Sequence, residues 1–196
     1  MANVVWPSEL YPSEFSLKRY TKVFRGKSVY TQKGQTYNML NDRWLCSLSI
    51  PAKSFEESGS IEAFVNSLRG GANTVSLWHM QRPNIAGSIG SNPTCQAASI
   101  GATTLVLNVP IGSKLYAGDM LGISEQLLEV AFDCQTASTT LSVQIVGRTR
   151  KIISSDTSVI TSAPSIRFRL VGNASSTYGP GGRIIGQSFD FAEDIS

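Results

Sequence analysis

The chain has 196 residues, a net charge of +3, and hydrophobic and charged fractions of 41% and 16%. This length can bury a core without disulfide or metal staples, and the composition argues against a disordered chain. No stretch approaches the roughly 20 apolar residues of a membrane-spanning helix, and the N-terminus lacks the basic start and apolar run of a signal peptide. We therefore expect no membrane partner and a location in the cytoplasm or in a particle assembled there.

The excess positive charge lies near the N-terminus. Residues 1–43 carry seven Lys or Arg against three Asp or Glu, whereas residues 44–196 carry ten against eleven. Strand-like segments lie at 15–24 and 28–39, and five basic residues stand close together in the first segment or in the short link to the second: Lys18, Arg19, Lys22, Arg25 and Lys27. They fit either a stripe that faces phosphate groups or an exposed sheet edge that charged side chains protect from pairing.

A half-buried strand and one helix are predicted next. In the strand at 42–50, the apolar positions alternate and predict one buried face, made of Trp44, Cys46, Leu48 and Ile50. Ser54 and Glu57 have the spacing of a capping box, and apolar residues then recur at helical spacing as far as Leu68. Gly70 and Gly71 end this pattern. The apolar stripe of such a helix needs a sheet against which to pack.

The only histidine of the chain follows in a segment, 74–80, that alternates as a strand. The alternation puts His79 on the face of Val75 and Leu77, near the end of the strand. A Ser-His hydrolase also needs an orienting acid and a nucleophile, and no G-x-S-x-G elbow is present. We therefore predict a structural role for His79. For Trp78, packing or a subunit contact is favoured over ligand stacking. The candidate interface residues are Trp78, His79, Met80 and Arg82, with Lys18, Arg19 and Lys22 from the basic segment.

A different composition, rich in Ser, Thr, Gly and Ala, marks residues 84–163. Pro83 and Pro164 flank this interval, and it contains short strand patterns at 103–109, 118–123, 126–132, 139–145 and 156–161. Residues 124–126 connect the second and third of these as a tight hairpin. We predict an inserted β module at 84–163 and a second domain formed by 1–83 plus 164–196. The latter closes with a strand at 165–172, a turn at 178–183, and a final strand suggested by Ile185, by Ser188 or Phe189, and by Phe191.

Neither a catalytic, a metal nor a cofactor site is predicted. One histidine and three scattered cysteines do not make a zinc site, and the carboxylates have no calcium-binding spacing. The segment "GSIGSN" at 87–92 does not match a phosphate-binding loop.

The order of these pieces carries a resemblance. The chain runs from strands into "RWLCSLSIPAKSFEESGSIEAFVNSLRGGANTVSLWHMQRP", then a module with "LYAGDMLGISEQLLEV", then the strand "PSIRFRLVGN". From about Arg43 to Gly172 this resembles the distal tail proteins of long-tailed bacteriophages. In that family a strand with an early Trp leads to a helix ending in a glycine-rich "LRG" turn. Larger members carry a C-terminal galectin-like domain that has no counterpart here, so any receptor role would lie in the inserted module.

The resemblance implies a mainly β protein: a tail-tube-like β-sandwich with one flanking α-helix and an inserted small β-barrel or sandwich module. It implies a virion protein of the tail tip that forms a ring, usually a homohexamer, between the tail tube protein and the baseplate hub, with incidental contact to DNA in the lumen. Three alternatives stay open at this point. One is a carbohydrate- or receptor-binding module that uses Trp78 or Tyr116, another is a tail-tube or terminator ring protein, and the least favoured is a cell-wall hydrolase.

Overall fold

The computed structural model describes residues 2–27, 33–38, 42–172, 174, 178–181 and 184–195. The protein is mainly β, with 44% strand and 10% helix. It divides into two compact units, residues 1–76 with 167–196, and residues 77–166. Pro83 and Pro164, which flank the predicted inserted module, both lie inside the second unit.

The elements of the described residues are one α-helix, one short 3₁₀ turn and sixteen strands. In chain order they are β1 (Asn3–Val4), β2 (Glu14–Tyr20), β3 (Val23–Lys27), β4 (Gly34–Asn38), β5 (Arg43–Pro51), α1 (Phe55–Leu68), the 3₁₀ turn (Arg69–Gly71), β6 (Thr74–Leu77), β7 (Thr94–Cys95), β8 (Thr104–Asn108), β9 (Lys114–Leu115), β10 (Met120–Ile123), β11 (Gln126–Glu129), β12 (Cys134–Gln135), β13 (Thr140–Gln144), β14 (Thr157–Ser158), β15 (Ile166–Leu170) and β16 (Gly186–Glu193).

A six-stranded sheet in the order β1-β6-β15-β16-β5-β2 forms the first unit. Strand β5 pairs antiparallel with both β16 and β2, and β1 pairs parallel with β6. The predicted alternation along β5 is confirmed, because Trp44, Cys46, Leu48 and Ile50 are all buried. The final strand is confirmed as β16, on which Phe189 and Phe191 are buried and Ser188 is exposed, whereas Ile185 precedes the strand and is 59% exposed.

The helix α1 is confirmed together with its caps. Ser54 accepts from the backbone N–H of Glu57, whose carboxylate accepts from the Ser54 N–H in return. Arg69 adopts a left-handed conformation after the last turn. Gly71 follows at φ +91°, where a Cβ would lie 2.7 Å from the carbonyl oxygen of Leu170, so glycine is required there. The helix therefore stops where β15 approaches.

Aromatic packing fixes the helix on the sheet. Phe64 packs edge-on against Trp6, with ring centroids 5.1 Å apart, and against Phe189 of β16 at 6.2 Å. The Trp6 indole N–H donates to the carbonyl of Leu10 at 2.9 Å, which satisfies the polar atom of this buried ring. The prediction that the helix needs a sheet against which to pack is confirmed.

The basic segment forms two strands where the pattern suggested one. The prediction of a continuous strand at 15–24 is wrong, because β2 ends at Tyr20 and β3 begins at Val23. Strands β3 and β4 pair with each other in a separate two-stranded sheet, with Val23 opposite Asn38 and Lys27 opposite Gly34. Of the strand predicted at 28–39, residues 28–32 and 39 lie outside the described residues.

The second unit contains short antiparallel sheets around one apolar core. Four strands pair in the order β13-β8-β7-β14, and β10 pairs with β11 and β9 with β12. All five predicted strand segments contain a strand, although β14 has only two residues. Strands β7, β9 and β12, of two residues each, were missed because they are too short for a periodic pattern. The core includes Leu105, Leu107, Leu121, Leu141 and Val143.

The hairpin β10–β11 is confirmed, with a shorter connection than predicted. Ile123 pairs with Gln126, which leaves Ser124 and Glu125 as the two turn residues, both at positive φ (49° and 56°). These angles give the right-twisted type I′ turn, which usually contains Asn or Gly. Gln126 is already in the strand, and its buried side-chain oxygen accepts from the backbone N–H groups of Arg150 at 2.6 Å and Lys151 at 3.1 Å.

Candidate interface surfaces

The edge strand β2 places two of its basic candidates on opposite faces. Lys18 is exposed, whereas Arg19 lies opposite Trp44 of β5 and makes an ion pair with Asp42 at 3.0 Å. Lys22 is exposed in the two-residue link to β3. The three do not form one stripe, because adjacent strand residues point to opposite sides. Arg19 has a structural partner, so only Lys18 and Lys22 are available to a partner molecule.

The position of β2 bears on the two interpretations of the basic segment. It is the last strand of its sheet in the part of the chain that the structure describes, and its exposed side chains include Glu14, Lys18 and Tyr20. Charged side chains on an edge strand oppose uncontrolled pairing with other chains. This arrangement favours a protected edge over a phosphate-facing stripe along β2.

The β3–β4 hairpin, termed here the basic hairpin (residues 22–27 and 33–38), carries exposed charged and apolar side chains. Lys22, Arg25, Lys27 and Lys33 are exposed, and the sequence from 22 to 38 contains no Asp or Glu. Val23 and Phe24 are 43% and 58% exposed. Sequence reasoning identified the positive charge but missed Phe24, which it counted as an ordinary strand residue.

The free face of the sheet bears small polar side chains. Across β2, β5 and β16 a shallow depression of about 190 Å³ is lined on this face by Glu14, Ser16, Ser47, Ser49, Ser188 and Asp190. Ser47 donates to Asp190 at 2.6 Å, and Ser188 lies 3.4 Å from Ser49. On the opposite face, burial and then the nearby Asp190 charge raise the pKa of Cys46 to about 12. The free face thus bears hydroxyl and carboxylate side chains around a shallow depression.

The segment after β6 is a turn, so the prediction of a strand from 74 to 80 is wrong beyond Leu77. The backbone N–H of Arg82 donates to the carbonyl of His79 and lies 3.1 Å from its Nδ1. These contacts close a turn just before Pro83, whose ring cannot continue a sheet ladder. Trp78, His79 and Met80 are half-buried. The predicted faces of the strand therefore do not apply to these three side chains.

His79 and Arg82 have structural partners within the second unit. Burial, and then the positive charge of Arg82, lower the pKa of His79 below its ordinary value of 6.5. The imidazole is therefore mainly neutral at pH 7, and Nδ1 serves as an acceptor. The guanidinium of Arg82 donates to the carbonyl of Gly118 at 2.8 Å. In this turn His79 accepts from the Arg82 backbone, and the Arg82 side chain joins the turn to the loop of Gly118.

Asp119 is a structural residue of the same loops that sequence reasoning missed. Its carboxylate is buried and accepts from the backbone N–H groups of Ala86, Gly87 and Tyr116 at 2.7, 3.1 and 2.9 Å. A Cβ on Gly87 would lie 2.3 Å from the carbonyl oxygen of Lys114, so only glycine fits this approach. An Asp in an "AGD" turn gives no sequence signal of a partner 33 residues earlier.

Neither a cluster of metal-ligating side chains nor a membrane-spanning helix is found in the described residues. Within them, no three His, Cys, Asp or Glu side chains are grouped to hold a metal ion. In the same part of the chain, no helix is long and apolar enough to cross a membrane. The three cysteines are free thiols. The ring of Tyr116, a candidate for ligand stacking, has the Lys114 ammonium 4.9 Å from its centroid.

Comparison with known proteins gives no family assignment. No model of a protein family matches the chain, and none of the curated proteins with which it was compared matches it.

Proposed function

We propose that this chain is a structural protein of a bacteriophage tail. It forms a ring, most simply a homohexamer, that joins the distal end of the tail tube to the baseplate hub. The first unit, a six-stranded sheet with one flanking helix, acts as the tail-tube-like domain, and the second acts as an inserted β module. The sequence resemblance from about residue 43 to 172 supports this function, and it also suggests the virion tail tip as the location.

One structural observation carries the proposal: the six-stranded sheet is covered by α1 on one face and has an open edge at β2. Backbone groups along an edge strand are available for pairing with a neighbouring chain. The exposed charge of Lys18 opposes nonspecific pairing at this edge, whereas a specific neighbouring subunit can still pair with the strand. A subunit that offers one surface to a different surface of the next copy builds a closed ring when the rotation closes.

The polar free face supports the same assignment. A ring subunit needs one face towards solvent or towards a hydrated lumen, and the serine-rich surface of β2, β5 and β16 suits that role. On this proposal the incidental contact with DNA is weak at this face, which carries Glu14 and Asp190 as well as Lys18.

Negative-stain imaging of the purified chain tests the proposed function. The expected result is a ring of one size with rotational symmetry and a central opening. Long tubes would instead indicate a tail-tube protein. Binding of glycans by the chain, lost on Tyr116→Ala without any ring being seen, would replace the proposal with a carbohydrate-binding function.

A further inference from the structure

The basic hairpin has a complementary surface elsewhere on the first unit. Helix α1 contains Glu56, Glu57 and Glu62 and no Lys or Arg. Glu56 and Glu62 are exposed, and Phe55 at the start of the helix is 69% exposed. We define these three exposed residues as the acidic helix face. Glu57 is separate from this face, because it pairs with Lys53 at 3.1 Å.

Both surfaces combine charge with an exposed apolar side chain. One face of β3 presents Val23, 43% exposed, with Arg25 and Lys27, because alternate strand residues share a face and Phe24 points to the other side. The helix face presents Phe55 beside its carboxylates. Exposed rings are the residues that most often anchor an interface when they become buried. Opposite charges around them steer two molecules together and fix their orientation.

The two surfaces leave the sheet at opposite ends of β5. Tyr20, after which the chain enters the hairpin, pairs with Arg43 at the first residue of β5. The helix begins four residues after Pro51, the last residue of that strand. Eight strand steps of about 3.3 Å separate these ends by about 26 Å. This placement favours contact between the hairpin of one copy and the helix of another.

We propose that the basic hairpin of one copy docks on the acidic helix face of a second copy of this chain. The contact is head-to-tail, because each copy contributes a different surface on its two sides, and such contacts generate rings or filaments. The inference deepens the proposed function and rests on it for the ring closure. Docking places the face of β3 that bears Val23, Arg25 and Lys27 against the acidic helix face, where it buries Val23 and Phe55 and brings Arg25 and Lys27 towards Glu56.

Charge reversal on each surface and on both together tests the contact. The hairpin variant is Arg25→Glu with Lys27→Glu, and the helix variant is Glu56→Lys with Glu62→Lys. We expect each variant to lower the association constant for self-association by about tenfold or more, measured by sedimentation velocity. The combined variant should recover most of this loss. Raised salt should weaken wild-type association, because exposed charge pairs are screened.

One control isolates a local contact of the helix face. Tyr178 donates a hydrogen bond to Glu62 at 2.6 Å, which Glu62→Lys removes. Tyr178→Phe removes the same bond without changing the charge, and we expect it to associate as the wild type does. Circular dichroism checks that each variant keeps its strand content.

Several results would overturn the proposal. These are wild-type protein that stays monomeric at the highest attainable concentration, a hairpin variant that associates normally, and a combined variant that recovers nothing. Loss of binding to a short DNA duplex by the hairpin variant, with self-association unchanged, would assign the hairpin to nucleic acid instead. Rings insensitive to these reversals would contradict this inference alone. Charge-dependent pairs or filaments without closed rings would support it and contradict the proposed ring.

Discussion

Replacement of the buried Asp119 gives a strong test of the second unit's architecture. This carboxylate, 5% exposed, accepts from three backbone N–H groups, those of Ala86, Gly87 and Tyr116. Asp119→Asn keeps the size but turns one acceptor oxygen into an NH₂ group that faces donors. Hydrogen bonds to charged groups contribute roughly 1.5–3 kcal/mol each, and at least one is lost while the others weaken. We expect the free energy of unfolding of the second unit to fall by about 2–4 kcal/mol.

Two measurements test this loss of stability: urea denaturation, and hydrogen exchange of the backbone amides. With a denaturant slope of about 2 kcal/mol per molar, the midpoint of the second unit should fall by roughly 1–2 M. The amides of residues 86, 87 and 116 should lose protection before the rest of the unit. Asp156→Asn is the matched control, since it removes the same charge from an exposed left-handed turn position that Asn tolerates. Equal midpoints and equal exchange in the two variants would refute the role given to Asp119.

Three further predictions concern the helix cap, the thiols and the histidine. Ser54→Ala should lower the free energy of unfolding by about 1 kcal/mol in denaturant titrations, whereas Ser60→Ala, exposed within the same helix, should leave it nearly unchanged or raise it. The Cys46 thiol, whose pKa burial raises to about 12, should resist a thiol reagent at pH 8 until the protein unfolds, while the half-buried Cys134 reacts first. Equal rates in the native state would contradict this. The imidazole resonance of His79 should titrate below pH 6.5, because the native pKa is lowered. The unfolded chain binds this proton more readily. The contribution of His79 to the free energy of unfolding is therefore present above about pH 6.5 and is lost as the pH falls through the lower native pKa. A midpoint above 6.5 would show that the histidine is not held as an acceptor.

Elements with a strong local signal could be predicted from the sequence. The period of two along β5 follows from burial of one face only, and the Ser54–Glu57 capping box fixes the start of α1 through neighbouring backbone groups. The hairpin β10–β11 was predicted because its two strands flank a short polar connection. In each case the residues that determine the structure lie within a few positions of one another.

The parts that were missed depend on contacts between distant residues. The strand pattern continues through His79, but the turn that Arg82 closes stops β6 at Leu77. Arg19 resembled its basic neighbours in the sequence until the sheet placed it beside Asp42. The acidic helix face and the basic hairpin were not related to one another, because only the register of β2 on β5 shows that they leave the sheet at opposite ends.

The most direct test of the ring is the solution mass of the purified chain, measured by light scattering coupled to size exclusion over a range of concentration and salt. A homohexameric ring would appear as a discrete species with a mass close to six times the chain mass of 21.1 kDa. We expect its population to grow with concentration and to fall at high salt. A species that remains at 21.1 kDa under every condition would contradict the claim that this protein assembles by itself into a ring.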